Sequence, residues 1–395
     1  MTPAAHARAG TLWAFGLGGF ALASWMSRIP DVREALDLSA GELGVLLLSL
    51  SVGSLIGLPL AGRITGAVGA SRAVRFGVTL AVPGLVLAAF AVHLAPHFGW
   101  VMPGLFLFGL GVGVWDVAQN LEGAAVERAV RRAIMPWFHA AFSAGTVLGA
   151  LVGAGLTALR VPILAHIVVV AAVTLVMVLR GAARFIPVLS AEPGAAGEPS
   201  TRSGWTEPRT ILIGVMVLAA AFTEGTANDW LAVAFVDGHQ LDKALGVLGL
   251  AVFLVAMTAG RILGTALLDR HGRVPVLFVL FVAALVGCLL VVFGTPPLAF
   301  AGAAIWGVGA SLGFPVGMSA AADDPARAPA RVAVVSTIGY TAFLAGPPLL
   351  GFLGDHIGIL RALLAVGVVS LAALLVLPAA RPLPSAQGDP RPARG

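Results

Sequence analysis

Residues 209–236 read RTILIGVMVLAAAFTEGTANDWLAVAFV, and a single Glu, Glu224, stands near the middle of that long apolar run. A stretch of roughly 18 or more such residues spans about 30 Å of hydrocarbon as a helix, so the run predicts a transmembrane segment. Eleven further stretches qualify, and the twelve predicted spans lie near 11–29, 41–62, 73–93, 99–120, 134–158, 161–180, 209–236, 244–268, 274–293, 297–320, 331–353 and 359–379. Composition agrees: 58% hydrophobic and 11% charged residues with a mean hydropathy of +0.97 are outside the range of water-soluble domains. Strands of a membrane barrel would alternate apolar and polar residues over about ten positions, which these runs do not. The expected fold class is an all-α polytopic membrane protein of 12 transmembrane helices.

Charge sets the expected orientation, because cytoplasmic loops retain Lys and Arg. With the N-terminus inside, 19 of the 24 basic residues fall on the cytoplasmic side, and only Arg28, Arg33, Arg160, Lys243 and Arg361 lie outside. Both termini are therefore expected in the cytoplasm of a bacterial inner membrane protein. The sequence pI near 10.8 follows from this topology; arginines scattered over short loops predict no nucleic-acid partner. Ala21-Leu22-Ala23 after the first apolar run has the look of a signal-peptide cleavage site. Removing that run would leave eleven spans and invert the charge bias, so it reads as span 1. The single cysteine, Cys288, sits inside a span and has no intramolecular disulfide partner.

A polar stretch at 186–208, rich in Ser, Pro, Gly, Glu and Arg, divides the spans six and six. The expected organisation is a bundle over 1–185, a cytoplasmic linker over 186–208, a second bundle over 209–380 and a tail over 381–395. Echoes cross the divide. Gly62 to Arg72 follows span 2 and Asp269-Arg270-His271-Gly272-Arg273 follows span 8, both short basic turns. Span 4 carries Gly109, Gly111 and Gly113, and span 10 carries Gly307, Gly309 and Gly313. Two pseudo-symmetric six-helix repeats explain the echoes.

These features together resemble the major facilitator superfamily over essentially the whole chain. Asp269, Arg270, Gly272 and Arg273 fit that family's loop signature, which implies a gating role for Asp269, Arg270 and Arg273. The first copy keeps Gly62 and Gly69 but has Gly66 and Ala67 where the family's Asp and Arg stand. A narrower resemblance lies in Trp115-Asp116-Val117-Ala118-Gln119-Asn120, followed by His139 and Ser143-Ala144-Gly145. It is similar to the fucose-permease branch, which implies that Asp116 takes up the coupling proton and that Asn120 matches the branch's Asn. The branch also has a carboxylate in helix 1. Here no acidic residue precedes Asp31, and Glu224 is a candidate replacement.

The side chains themselves support a polar path. Spacings of three and four put Asp116, Gln119 and Asn120 on one face of span 4, and Glu224 and Asn228 on one face of span 7. An ionised group at the centre of a membrane helix costs roughly 2.5–3.5 kcal/mol, so such faces turn away from lipid and protonation relieves the cost. Asp116, Glu224 and Asp229 are the candidate proton carriers. The alternative for each is a permanent pairing that fixes helix packing, and Arg261 on span 8 is the obvious counter-charge for Glu224, or a gate contact. Candidate substrate contacts are Trp25, Arg28, Gln119, Asn120, His139, Asn228, Trp230 and Tyr340, with Ser24, Ser143 and Ser336 on the same polar faces. Trp is equally an ordinary interface anchor.

No Walker loop, His-Glu-x-x-His or Cys cluster is present, so no cofactor, metal or enzyme activity is expected; Gly109 to Gly113 is a close-packing stretch, not a nucleotide loop. The expected function is proton-coupled alternating access that carries a small polar solute, a sugar or sugar derivative, by a monomer in the lipid bilayer. A proton-coupled efflux pump for amphipathic compounds is the alternative within transport. The Gly346-Pro347-Pro348 element of span 11 keeps that alternative open, and a membrane scaffold or receptor is the alternative of another class.

Overall fold

The computed structural model describes residues 3–94, 96–131, 134–186, 204–324 and 327–383. Arg132, Arg202, Arg391 and Arg394, residues 187–203 of the expected linker and the expected tail beyond 383 lie outside the described residues.

Among the described residues, ten helices are long and apolar enough to cross a membrane. One of them, Ala40–Leu94, has 55 residues. At 1.5 Å per residue it would measure roughly 80 Å, far more than one crossing. Gly69, at φ 82° and ψ 162°, breaks it into spans 2 and 3. Only glycine adopts that backbone readily, and Gly272 makes the same turn (φ 79°, ψ 172°) between spans 8 and 9. With Pro3–Met26 as span 1, twelve spans result. Spans 4 to 6 are Phe98–Val130, Met135–Ala158 and Ile163–Ala182, and span 7 is Pro208–Val233 with a π turn at Ala234–Gly238. Spans 8 and 9 are Lys243–His271 and Arg273–Phe293, span 11 is Ala328–Ile357, and span 12 comprises Ile359–Ala362 and Leu364–Val376.

Packing repeats between the halves. Span 1 lies along spans 5 and 6, and span 7 along spans 11 and 12; span 4 is wedged between spans 2 and 3, and span 10 between spans 8 and 9. Glycine makes the wedges possible. A Cβ at Gly111 would overlap the backbone of Gly77 and Ala81 on span 3, and one at Gly109 the carbonyl of Leu50 on span 2. Gly307 against Phe253 and Gly309 against Ala284 repeat this in the second half. Side chains that small let helix backbones touch, the usual source of helix association where lipid removes the hydrophobic drive.

Two helices depart from expectation. Span 4 was expected to end near residue 120 but runs to Val130, where Arg131 closes it in the left-handed region at φ 52°; the added turns carry Glu122, Glu127 and Arg128 on different sides of the helix. Span 10 is not continuous: Pro296–Ala310 stops and Gly313–Ala321 begins. Pro315 has no N–H to return to the carbonyl of Ser311 four residues earlier, and its ring crowds that turn, so the helix breaks there.

The two bundles meet along spans 2 and 11 and along spans 5 and 8. At the arginine-poor end this seam is tied shut. Asp355, near the end of span 11, accepts the backbone N–H groups of Ala40 (2.8 Å) and Gly41 (2.9 Å) at the start of span 2. Below it, Gly351 backs against Ala40 and Gly44 against Pro347, so tightly that an added Cβ would stand 2.5 Å from the facing carbonyl in each case. Lys243 of the second half bonds Asp31 (2.9 Å) and Glu34 of the first, and Arg33 pairs with Asp237. At the arginine-rich end the ion pairs of the described residues stay within one bundle: Arg209 and Arg273 share Asp323, and Arg327 and Arg331 share Glu207.

Candidate substrate and proton site

Span 4 presents Asp116 toward the seam. Its Oδ1 accepts from Gln119 Nε2 (3.0 Å) and, at 3.4 Å, from Asn120 Nδ2, which also bonds the Asp116 carbonyl (2.8 Å). The three residues thus occupy one helix face, as the spacing predicts, and Asp116 is held by amides rather than by a cation. From span 5, His139 stands within electrostatic reach of Asp116, with its ring edge-on to Phe15 at 5.3 Å. His139 also lies within reach of Arg261 on the opposite bundle, and Tyr340 on span 11 within reach of Asp116. Asp116, His139, Arg261 and Tyr340 therefore form one polar layer across the seam.

Glu224 completes the layer and is paired. Arg261 NH2 donates to both carboxylate oxygens at 2.8 Å, and the two side chains keep 30% and 21% exposure for Arg261 and Glu224 respectively. Arg261 is itself aimed by the break in span 10, since its Nε donates to the Ser311 carbonyl (3.2 Å) that Pro315 leaves without a helical donor. Tyr340 is flanked by Phe314 and Phe343 at ring distances of 6.5 and 6.4 Å, which gives the layer an aromatic wall.

Other expected site residues lie elsewhere. Asp229 accepts no hydrogen bond and forms no ion pair among the described residues; with Trp230 it borders a narrow pocket between spans 7 and 11 lined by Phe222, Phe343 and Pro347. Asn228 Oδ1 is buried without a donor. Trp25 and Trp230 are expected substrate contacts, but both side chains are buried in the apolar core because their large rings fill inter-helix space. Arg28 is likewise expected to meet substrate, yet it is 2% exposed at the arginine-poor end. There it donates to His166 Nδ1 (2.9 Å), Asp31 (2.9 Å) and the Val161 carbonyl (3.1 Å), which uses its donors on the closed end. Asp269 and Arg270 are exposed in the last turn of span 8, while Arg273 bonds Asp323 (2.7 Å) and Ser319 (3.1 Å) inside its own bundle.

Three acidic residues that matter here were not picked out from the sequence. Asp355 and Asp323 tie helix ends, and each stands at a span terminus beside basic or glycine-rich sequence, which was the available signal. Glu122 is wholly buried one turn beyond Gln119; its signal was a helical face that continues past residue 120.

Residues 217–394 match the sequence profile of the Major Facilitator Superfamily. The uncharacterized transporter y4wD of Sinorhizobium fredii is 37% identical over 86% of this chain and 89% of its own. An uncharacterized MFS-type transporter of Yersinia pestis is 30% identical over 96% of both chains. Among solved structures, a mutant of the nucleoside transporter NupG superposes with a TM-score of 0.78 at 15% identity, covering 96% of this chain and 100% of that one. The E. coli fucose:proton symporter FucP superposes at 0.65 and 16% identity, covering 94% and 98%. At those identities the structures show a common fold.

Proposed function

The chain belongs to the major facilitator superfamily of membrane transporters, and on that premise we propose that it couples the movement of a small polar solute to protons. The observation that carries this reading is the asymmetry between two acids in one layer. Glu224 has a cation in Arg261, whereas Asp116 is hydrogen-bonded by amides alone, with His139 in electrostatic reach but not paired to it. A carboxylate without a counter-charge at that depth is costly when ionised, by roughly 2.5–3.5 kcal/mol on insertion scales. Taking up a proton removes the charge and lets the loaded carrier reorient. Asp229, also without a cation, is the second candidate carrier.

A hydroxylated solute suits the remaining chemistry. Gln119 Oε1 and Asn228 Oδ1 are buried acceptors without donors, Arg261 offers further N–H groups beside Glu224, and Tyr340 with its phenylalanines offers a face for a sugar ring. The fold is the one used by a nucleoside transporter and a fucose:proton symporter, which fits a sugar or sugar derivative as the cargo. The charge bias supports an inner membrane orientation with both termini in the cytoplasm. In that orientation the tied end faces outward, and Asp269, Arg270 and Arg273 serve the cytoplasmic gate in the opposite state.

Internal pH in proteoliposomes tests the reading, with sugars, sugar acids, nucleosides and amphipathic drugs added in turn and Asp116→Asn run alongside. Acidification with one sugar, lost in the variant, establishes symport. Alkalinisation of preacidified vesicles by a drug means antiport and efflux, and silence with every compound leaves no proton-coupled role.

A further inference from the structure

Glu122 is 0% exposed and lies on the same face of span 4 as Gln119, one turn further on. One of its oxygens accepts the backbone N–H of Ile186 at 2.8 Å; the other, Oε2, is buried with no partner. Gln119, itself 2% exposed, gives its Nε2–H to Asp116, and its Oε1 is buried with no partner either. Two orphaned oxygens thus sit on adjacent turns of one helix, each short of a donor. Among the described residues Glu122 forms no ion pair. Glu122 bonds Ile186, and the side chains of Met135 and Phe138 lie against the adjacent Gly123. The charged groups on the neighbouring elements are directed elsewhere: Arg8 of span 1 is exposed, His139 of span 5 faces Asp116, and Arg184 after span 6 lies over the Trp13 ring at 4.5 Å. On span 4 itself Glu127 accepts the N–H groups of Ile134 and Met135, and Arg128 is exposed.

We propose that Glu122 is a further proton-binding residue of the transporter, linked to Asp116 through the Gln119 amide so that the two acids share one proton. This rests on the proton-coupled reading above. With the proton on Glu122, its O–H would donate to Gln119 Oε1 while Gln119 N–H donates to the Asp116 anion, the second of these bonds being the one present in the structure. With the amide turned over, Asp116 carries the proton and donates to Gln119 Oε1, while Gln119 N–H donates to the Glu122 anion. The two arrangements hold the same single proton and the same net charge, so the trio can keep that proton on either acid without burying a second charge.

The test needs no substrate: infrared difference titration of the full-length protein in nanodiscs, native and as Glu122→Gln, Gln119→Leu and the double variant, with thermal unfolding as the control for folding. Coupling predicts that Glu122→Gln shifts the titration midpoint of the Asp116 carboxyl band by more than about one pH unit, and that the shift vanishes when Gln119 is already Leu. An Asp116 midpoint that ignores residue 122 overturns this proposal alone. An Asp116 band that never titrates in the native chain overturns proton coupling and this proposal with it. Should Glu122→Gln not fold, the native chain labelled with [13C]glutamate decides: a protonated-carboxyl band near neutral pH that moves with the label supports the shared proton, and its absence overturns it.

Discussion

Asp355 caps the first turn of span 2 from the other half of the molecule, with Oδ1 on the Ala40 N–H and Oδ2 on the Gly41 N–H. Both donors are orphans of a helix start, and the positive end of that helix favours the anion. The two bundles therefore share a cap that exists only while the arginine-poor end is shut.

Asp355→Ala should open that end. Loss of a charged cap costs about 1–2 kcal/mol, roughly a 5- to 30-fold change in the ratio of shut to open molecules. Spin labels at Ala35→Cys and Gln240→Cys, both exposed and in different halves, should report a longer distance population in the variant; the buried Cys288 will not label. An unchanged distance distribution would show that the cap holds nothing.

Gly351→Val should act the same way by force rather than by loss. A Cβ there stands 2.5 Å from the Ala40 carbonyl on the opposite bundle, and overpacking of this kind costs about 1–3 kcal/mol. Because the clash vanishes when the bundles part, overall thermal stability should fall less than the shut population does, as the same labels would read.

The Glu224–Arg261 pair can be measured by a cycle of Glu224→Gln, Arg261→Gln and the double variant. Each single change leaves one charge unpaired, while the double change leaves none. Partial exposure of both side chains reduces what a fully buried pair would show, so a coupling of about 1–2 kcal/mol is expected in thermal unfolding. Additive losses would mean that the pair is incidental to the fold.

Glu207, outside the spans, gives a pH signature. Burial pushes its carboxyl up, but hydrogen bonds from Arg331 (2.6 Å), Thr210 and Arg327 outweigh this and hold it below its ordinary value of 4.5. A group lowered in the folded state stabilises above its unfolded value, and that stabilisation disappears as pH falls through the folded one. Protection of residues 204–207 against hydrogen exchange, corrected for the intrinsic pH dependence of exchange, should therefore hold near neutrality and fall as pH drops through the lowered folded value, and Glu207→Gln should abolish the acid step.

Hydropathy and glycine spacing carried the helices and the repeat, because each depends on residues close together in the chain. Asp116 with its amides was legible for the same reason, and Arg261 as the partner of Glu224 followed from there being few charges at that depth. The closed end was not legible. Asp31 with Lys243 and Ala40 with Asp355 are separated by more than half the chain, and only the packing of span 2 on span 11 brings them together. Arg28 reads as a cavity cation until His166, Asp31 and Val161 are seen to use its donors. Glu122 was hidden by a helix that outlasts its apolar stretch, and Trp25 and Trp230 by the fact that a ring suited to a sugar is equally suited to a gap between helices.

The carbonyl at Ser311 that anchors Arg261 belongs to the main chain, so no replacement at position 311 other than proline-like distortion can take it away. A map of variant effects would read at position 311 the fit of a buried side chain that bonds the Val308 carbonyl and packs on Gly260, and would register the Arg261 contact at Pro315, whose missing N–H frees the oxygen. Genetic variation in this transporter would thus report the anchoring of Arg261 four residues away from the atom that performs it.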